Sequence, residues 1–154
     1  MKYSGKILES DYVAAQYLHL KPRKTFAFIG IALFMLATVS LIVSFSWVML
    51  ACLAYLLGYY FLFIPWQAAK SYRQYKVMQE LITFEFRDSG IFSESKKGSG
   101  IIEWNEIRKI KNNKKLLLVY PTNTLFHIFP NHFFQNDKEF GLFVDRIKSE
   151  YEKT

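Results

Sequence analysis

"TFAFIGIALFMLATVSLIVSFSWVMLACLAYLLGYYFLFIPWQAA", residues 25–69, runs for 45 positions without an Asp, Glu, Lys or Arg, while the chain on either side is dense in charge. As one helix it would measure about 67 Å at roughly 1.5 Å per residue, twice the ~30 Å hydrocarbon core of a bilayer. It is therefore expected to fold back. Residues 25–44 and 47–66 each supply 20 positions, and Ser44, Phe45, Ser46 and Trp47 mark the joint between them. The sequence thus predicts a two-helix transmembrane hairpin over 25–66. A buried hairpin in a soluble protein is the weaker reading, because a run of 18 or more apolar residues is already long enough for a span. A cleaved signal peptide fits poorly, since its apolar region is only about 7–15 residues long. Here 24 residues come first, with Glu9 and Asp11 among them.

Two spans leave both ends of the chain on one side. Lys21, Arg23 and Lys24 precede the first span, and Lys70, Arg73 and Lys76 follow the second. The intervening turn has no charge, so both termini are expected in the cytoplasm. Neither span carries Asp, Glu, Lys, Arg or His, the groups that ion pathways and proton relays use, which disfavours a pump, carrier or channel. The one cysteine, Cys52, falls inside the second span and reads as a packing residue.

The net charge of +7 is shared between the flanks. Residues 1–24 hold five cations against two acids, and residues 70–154 hold 15 against 11, leaving +3 and +4. A basic juxtamembrane chain facing anionic lipid accounts for this balance. No recognition motif accompanies it, so no nucleic-acid partner is expected.

The N-terminal segment, 1–24, reads as a short extended start and then a helix at the membrane surface. Ser10 and Asp11 are its candidate caps, and Val13, Tyr17 and Leu20 share one face. Past the spans, residues 67–80 contain good helix formers and predict a helical connector reaching Glu80. From Leu81 the period changes to two: Ile82, Phe84 and Phe86 alternate with Thr83, Glu85 and Arg87, the pattern of a strand with one buried face. Further strands are expected in "IFSES", "GIIEW", "KLLLVY" and "TLFHIF", separated by Asp88-Ser89-Gly90, "KKGSG" and Pro121-Thr122-Asn123. The chain closes with a helix. Asn136 is its candidate cap, Glu139 stands at the capping-box spacing, and Phe140, Phe143, Val144, Ile147 and Tyr151 form one stripe. An antiparallel β-sheet closed by an amphipathic C-terminal helix is the plan of a pleckstrin-homology-like domain, here over 81–154. The fold class expected is membrane α+β, and an exposed sheet edge of such a domain can accept a peptide strand.

Chemistry is harder to find. His19, His127 and His132 have no second cysteine or carboxylate cluster at a ligand spacing, so no metal site is expected. "KKGSGI" lacks the pattern of a phosphate-binding loop, and Asp88, Glu94, Glu103 and Glu106 are scattered. No catalytic residue and no cofactor is predicted, and the protein is expected not to be an enzyme. Trp104, Ile107 and Ile110, spaced by three, suggest a helical turn entering a strand with all three on the core side. Arg108, Lys109, Lys111, Lys114 and Lys115 are different. They cluster around a turn, where they can hold anionic head groups or an acidic protein at about 1 kcal/mol per cation near a charged surface. A solvated hairpin tip explains the same cluster.

Trp104-x-x-Ile107-x-x-Ile110, together with the two adjacent spans, resembles the YcxB-like family of small bacterial membrane proteins. "FHIFPNHFFQNDKEFGLFVDRIK" is similar to its Ile-Pro-x-x-x-Phe segment and following helix, through Phe129-Pro130 and Phe134. The resemblance runs from Asp11-Tyr12 to Lys148. It implies a pleckstrin-homology-like C-terminal module, residence in the bacterial inner membrane and no family-wide catalytic activity. The sequence departs from the family at Phe129 and Asn131, where the family often has Ile and a basic residue.

The expectation is a non-enzymatic, two-pass adaptor or regulator that binds a protein partner through its cytoplasmic domain, with anionic lipid contact and a capacity to form homo-oligomers. An immunity protein that neutralises a bacterial toxin at the membrane also fits the sequence. So does an accessory subunit of a membrane transporter or enzyme.

Overall fold

The computed structural model describes residues 2–20, 30–31, 34–35, 38–39 and 47–153. The described positions of the expected first span are helical, and Thr38 Oγ1 donates to the Phe34 carbonyl one turn back at 2.8 Å. The remainder of that span, its turn at Phe45-Ser46 and the cations Lys21, Arg23 and Lys24 lie outside the described residues.

The elements in order are β1 (Lys2–Lys6), α1 (Glu9–Leu20), α2 (Trp47–Gly58), α3 (Ile64–Gln74), β2 (Leu81–Arg87), β3 (Gly90–Ser95), β4 (Gly98–Glu103), β5 (Lys109–Asn112), β6 (Leu116–Tyr120), β7 (His127–Pro130) and α4 (Asp137–Glu152). α2 and α3 are joined without a break by a wide π turn over Tyr59–Phe63. Residues 50–74 of this rod form a helix of 25 residues, long and apolar enough to cross a membrane by length and composition. Tyr55 and Leu62 are each 72% exposed, so the described residues leave its apolar surface uncovered.

The π turn has a local cause. Pro65 has no N–H, and its ring would collide with the carbonyl four residues back in a regular helix. The helix widens ahead of it, and Ile64 N–H donates to the Tyr59 carbonyl five residues earlier. In that five-residue ladder the donor to Tyr60 would be the nitrogen of Pro65. Tyr17 of α1 supplies the bond instead, its hydroxyl donating to the Tyr60 carbonyl at 2.9 Å.

α1 lies antiparallel to this rod. Arg73 Nε pairs with Glu9 at 3.1 Å at one end, and the Tyr17 and Tyr60 rings are 5.1 Å apart at the other. The expected helix is therefore present, packed between the rod and the domain, but it starts at Glu9, ahead of the candidate caps Ser10 and Asp11, and it buries Ala15 and Leu18 while Leu20 is exposed. The expected helical connector is shorter than its sequence predicts. Tyr75 leaves the helical region at φ −90°, ψ 76°, and a 3-10 turn fills Lys76–Gln79. Gln79 Nε2 donates back to the Tyr72 carbonyl at 3.0 Å, capping the helix end where it stops.

Four strands in the order β1-β2-β3-β4 form one antiparallel sheet, and β5-β6-β7 form a second. The sheet that starts at Leu81 thus includes residues 2–6, because Tyr3 stands opposite Phe84 in register. Gly5 makes this possible, since a Cβ there would strike the Phe133 ring. The alternation read in β2 is observed: Phe84 packs against Phe129 with tilted rings 4.6 Å apart, and Phe86 against Phe143 at 4.9 Å.

β6, "LLLVY", is buried along its whole length because both its faces are covered. Leu117 shares a face with its register partner Phe129, which meets Phe84 and Phe143. Tyr120, three residues on and so on the opposite face, stacks on His19 of α1. Full burial of a side chain of this size contributes about 1.5–3 kcal/mol. α4 completes the core with Phe140, Phe143, Val144 and Ile147. Asn136 Oδ1 accepts the Glu139 N–H at 2.9 Å as the cap, while the Glu139 carboxylate reaches one residue beyond the cap, to the Gln135 N–H.

Candidate functional site

Two surfaces stand out, and the first is the basic cluster. Trp104–Glu106 forms a 3-10 turn closed by a capping box between Glu103 and Glu106. Trp104 is half-buried, stacked on Phe86 at 5.9 Å, with Nε1 donating to the Asp88 carbonyl at 3.0 Å. Ile107 is buried and Ile110 half-buried, so these three residues build the sheet.

The five cations that follow are adjacent in sequence and are spread out by the hairpin. Lys109 stands opposite Tyr120 and Asn112 opposite Leu117, which places Lys114 and Lys115 at the tip. At about 3.4 Å per residue, Lys109 and Lys114 are separated by up to roughly 17 Å. Arg108 is exposed, and its carbonyl accepts from the Tyr151 hydroxyl at 3.1 Å. Lys109 places its ammonium 5.4 Å from the Tyr120 ring centre. Lys111 is half-buried, its Nζ donating to the carbonyls of Leu18 at 3.0 Å and His19 at 2.6 Å. It caps the C-terminal end of α1, where unpaired carbonyls and the negative end of the helix dipole favour a cation. Lys114 and Lys115 are exposed, and Lys114 also borders a groove of about 460 Å³ shared with Asp137, Asp145 and Lys148.

The second surface is a cavity of about 540 Å³ between the two sheets, which sequence reasoning did not find. α1 contributes Tyr12, Gln16 and His19, the connector Val77 and Met78, β2 Ile82 and Phe84, β3 Glu94, and β7 with its preceding loop Leu125, Phe126 and His127. These residues are separated by up to 115 positions, and no local pattern links them.

His19 is stacked between Tyr120 at 5.7 Å and Phe126 at 5.2 Å, with Nδ1 3.0 Å from the Tyr120 hydroxyl. Burial lowers its pKa, and the nearby charges of Lys111 and Lys109 lower it further. His127 is exposed at the cavity mouth, yet the surrounding walls desolvate its ring and lower its pKa as well. Burial raises the Tyr120 hydroxyl. The Ser93 and Ser95 hydroxyls are used within the sheet, donating to the carbonyls of Gly100 and Gly98. The cavity therefore offers largely apolar walls, with Gln16, the His19 and His127 rings and the Glu94 carboxylate as its polar groups. His132 is tied elsewhere, near the Lys6 carbonyl and Asp11. Among the described residues, no group of three His, Cys, Asp or Glu is placed to hold a metal ion.

No curated protein and no solved structure matches the chain. Residues 86–145, from the end of β2 into α4, match the family model described as YcxB-like protein, the family that the tryptophan-isoleucine and proline-phenylalanine segments resemble.

Proposed function

We propose that the protein is a non-enzymatic adaptor or regulator of the bacterial inner membrane. A two-helix hairpin over 25–66 anchors it with both termini cytoplasmic, and a pleckstrin-homology-like domain engages a protein partner and anionic lipid. The observation that carries this reading is the uncovered apolar helix of residues 50–74 leading into a two-sheet domain whose core includes an amphipathic C-terminal helix. Its cationic contact is formed by the exposed Arg108, Lys109, Lys114 and Lys115, each adding about 1 kcal/mol near an anionic surface. Lys111 serves the fold.

The test uses the full chain. Wild type and a variant with Arg108, Lys109, Lys114 and Lys115 all changed to Glu are crosslinked in intact cells, purified in detergent and identified by mass spectrometry. The same two proteins are reconstituted to compare capture of added anionic vesicles. Loss of a specific protein, or of vesicle capture, on charge reversal supports the reading. An unchanged set of partners with unchanged vesicle capture would overturn the role of this surface. A reporter fused after residue 154 that is active outside the cytoplasm would overturn the topology.

A further inference from the structure

Two sheets leave four edge strands, and three of them are guarded. β1 carries Lys2 and Lys6, β5 carries Lys109 and Lys111, and β7 is four residues long and ends in Pro130. Lysine, proline and shortness are the devices by which proteins stop an edge from pairing with another chain. β4, "GSGIIE", has neither lysine nor proline, runs for six residues and, among the described residues, is paired only on its β3 side.

We infer that the free edge of β4 pairs antiparallel with β4 of a second copy of this chain, joining two four-stranded sheets into one. The backbone is oriented for it. The two-residue turn at Lys96-Lys97 makes Ser95 and Gly98 the closing pair of the β3–β4 hairpin. Alternation then turns the N–H and C=O groups of Gly98, Gly100 and Ile102 toward β3, and those of Ser99 and Ile101 outward; at Glu103 the carbonyl faces outward while the N–H donates to the Glu106 carboxylate. The side chains agree. Ile102 is buried in the core, which puts Ile101 on the outer face at 39% exposure, opposite Phe92 in register. Pairing centred on Ile101 sets the two Ile101 side chains side by side.

Charge selects the second copy. One end of β4 is the cationic turn Lys96-Lys97, and the other leads into Glu103 and Glu106. An antiparallel pair brings the Lys96-Lys97 turn of each copy beside Glu103 and Glu106 of the other. A two-fold contact presents this match twice, whereas a parallel pair would set like charges together. Lys97 already reaches Glu80 at 3.3 Å, so Lys96 is the cation left for the contact.

The experiment uses the full chain in mild detergent on a Cys52→Ala background, which removes the lone thiol. Ile101→Cys should form an oxidised dimer readily, because facing residues of an antiparallel pair lie about 5.5 Å apart at Cα, within disulfide reach. Lys114→Cys, exposed at the hairpin tip of the other sheet, is the control. Ile101→Lys should shift a native-mass or light-scattering measurement from dimer to monomer, and Lys96→Glu should raise the dimer dissociation constant by about tenfold. Ile101→Cys crosslinking no faster than the control, or equal monomer mass for wild type and Ile101→Lys, overturns the inference. So does crosslinking of Ile101→Cys in cells to a different protein without dimer. Such results would leave the anchoring and the cationic surface untouched, since neither uses β4.

Discussion

Replacing Lys111 by Met keeps most of the aliphatic stem and removes the ammonium that closes the end of α1. Two carbonyls, of Leu18 and His19, lose a charged donor. Hydrogen bonds involving a charged group contribute about 1.5–3 kcal/mol, and the half-buried site places the loss within that range, not at the smaller figure of an exposed pair. The effect should be local first, because α1 is held to the second sheet by this contact and by the His19–Tyr120 stack. Amide hydrogen exchange over residues 12–20 should accelerate by about ten- to a hundredfold. Lys114→Met, an exposed change at the hairpin tip, should stay within about 0.5 kcal/mol in denaturant unfolding and leave exchange in α1 unaltered. Equal exchange in both variants, or a Lys114→Met protein as destabilised as Lys111→Met, would refute the division of this cluster into one structural lysine and four surface cations.

Stability should also fall in mild acid. His19 has a lowered folded pKa, so its contribution is complete above the ordinary value of about 6.5, where both states are neutral, and is lost as pH falls through the folded value. Melting curves between pH 7.5 and about 5 check this, and His19→Gln should flatten the slope. Gly5→Ala should cost about 1–3 kcal/mol, because the added Cβ meets the buried Phe133 ring; a neutral melt would mean that β1 is not seated in the sheet. Tyr17→Phe should leave the Tyr60 carbonyl without its donor and lower stability by about 0.5–1.5 kcal/mol, an effect that Pro65→Ala in the same chain should reduce by restoring an N–H to the helix.

The sequence by itself determined what depends on composition and on neighbours a few residues apart. An uncharged run of 45 residues declared apolar helix, seen in the described residues as the helix over 50–74. Alternation at Ile82, Phe84 and Phe86 declared a strand, and the stripe from Phe140 to Ile147 declared a helix with one buried face. Trp104, Ile107 and Ile110 were legible for the same reason, since a turn followed by a strand is a local pattern. Tertiary structure decided the rest. "KYSGK" reads only as a short extended start; that it joins the sheet beginning at Leu81 was decided by β2, which offers it an edge, and by Phe133, which leaves room only for glycine. The cations from Arg108 to Lys115 read as one patch, and a hairpin separates them, because antiparallel pairing stretches five residues over many ångströms while a sequence shows only their order. Lys111 became a helix cap through carbonyls 92 and 93 positions away. The cavity between the sheets likewise draws its walls from α1, β2, β3 and β7. Such contacts form only when distant segments close on one another, and their partners leave no trace in the local periodicity of either segment.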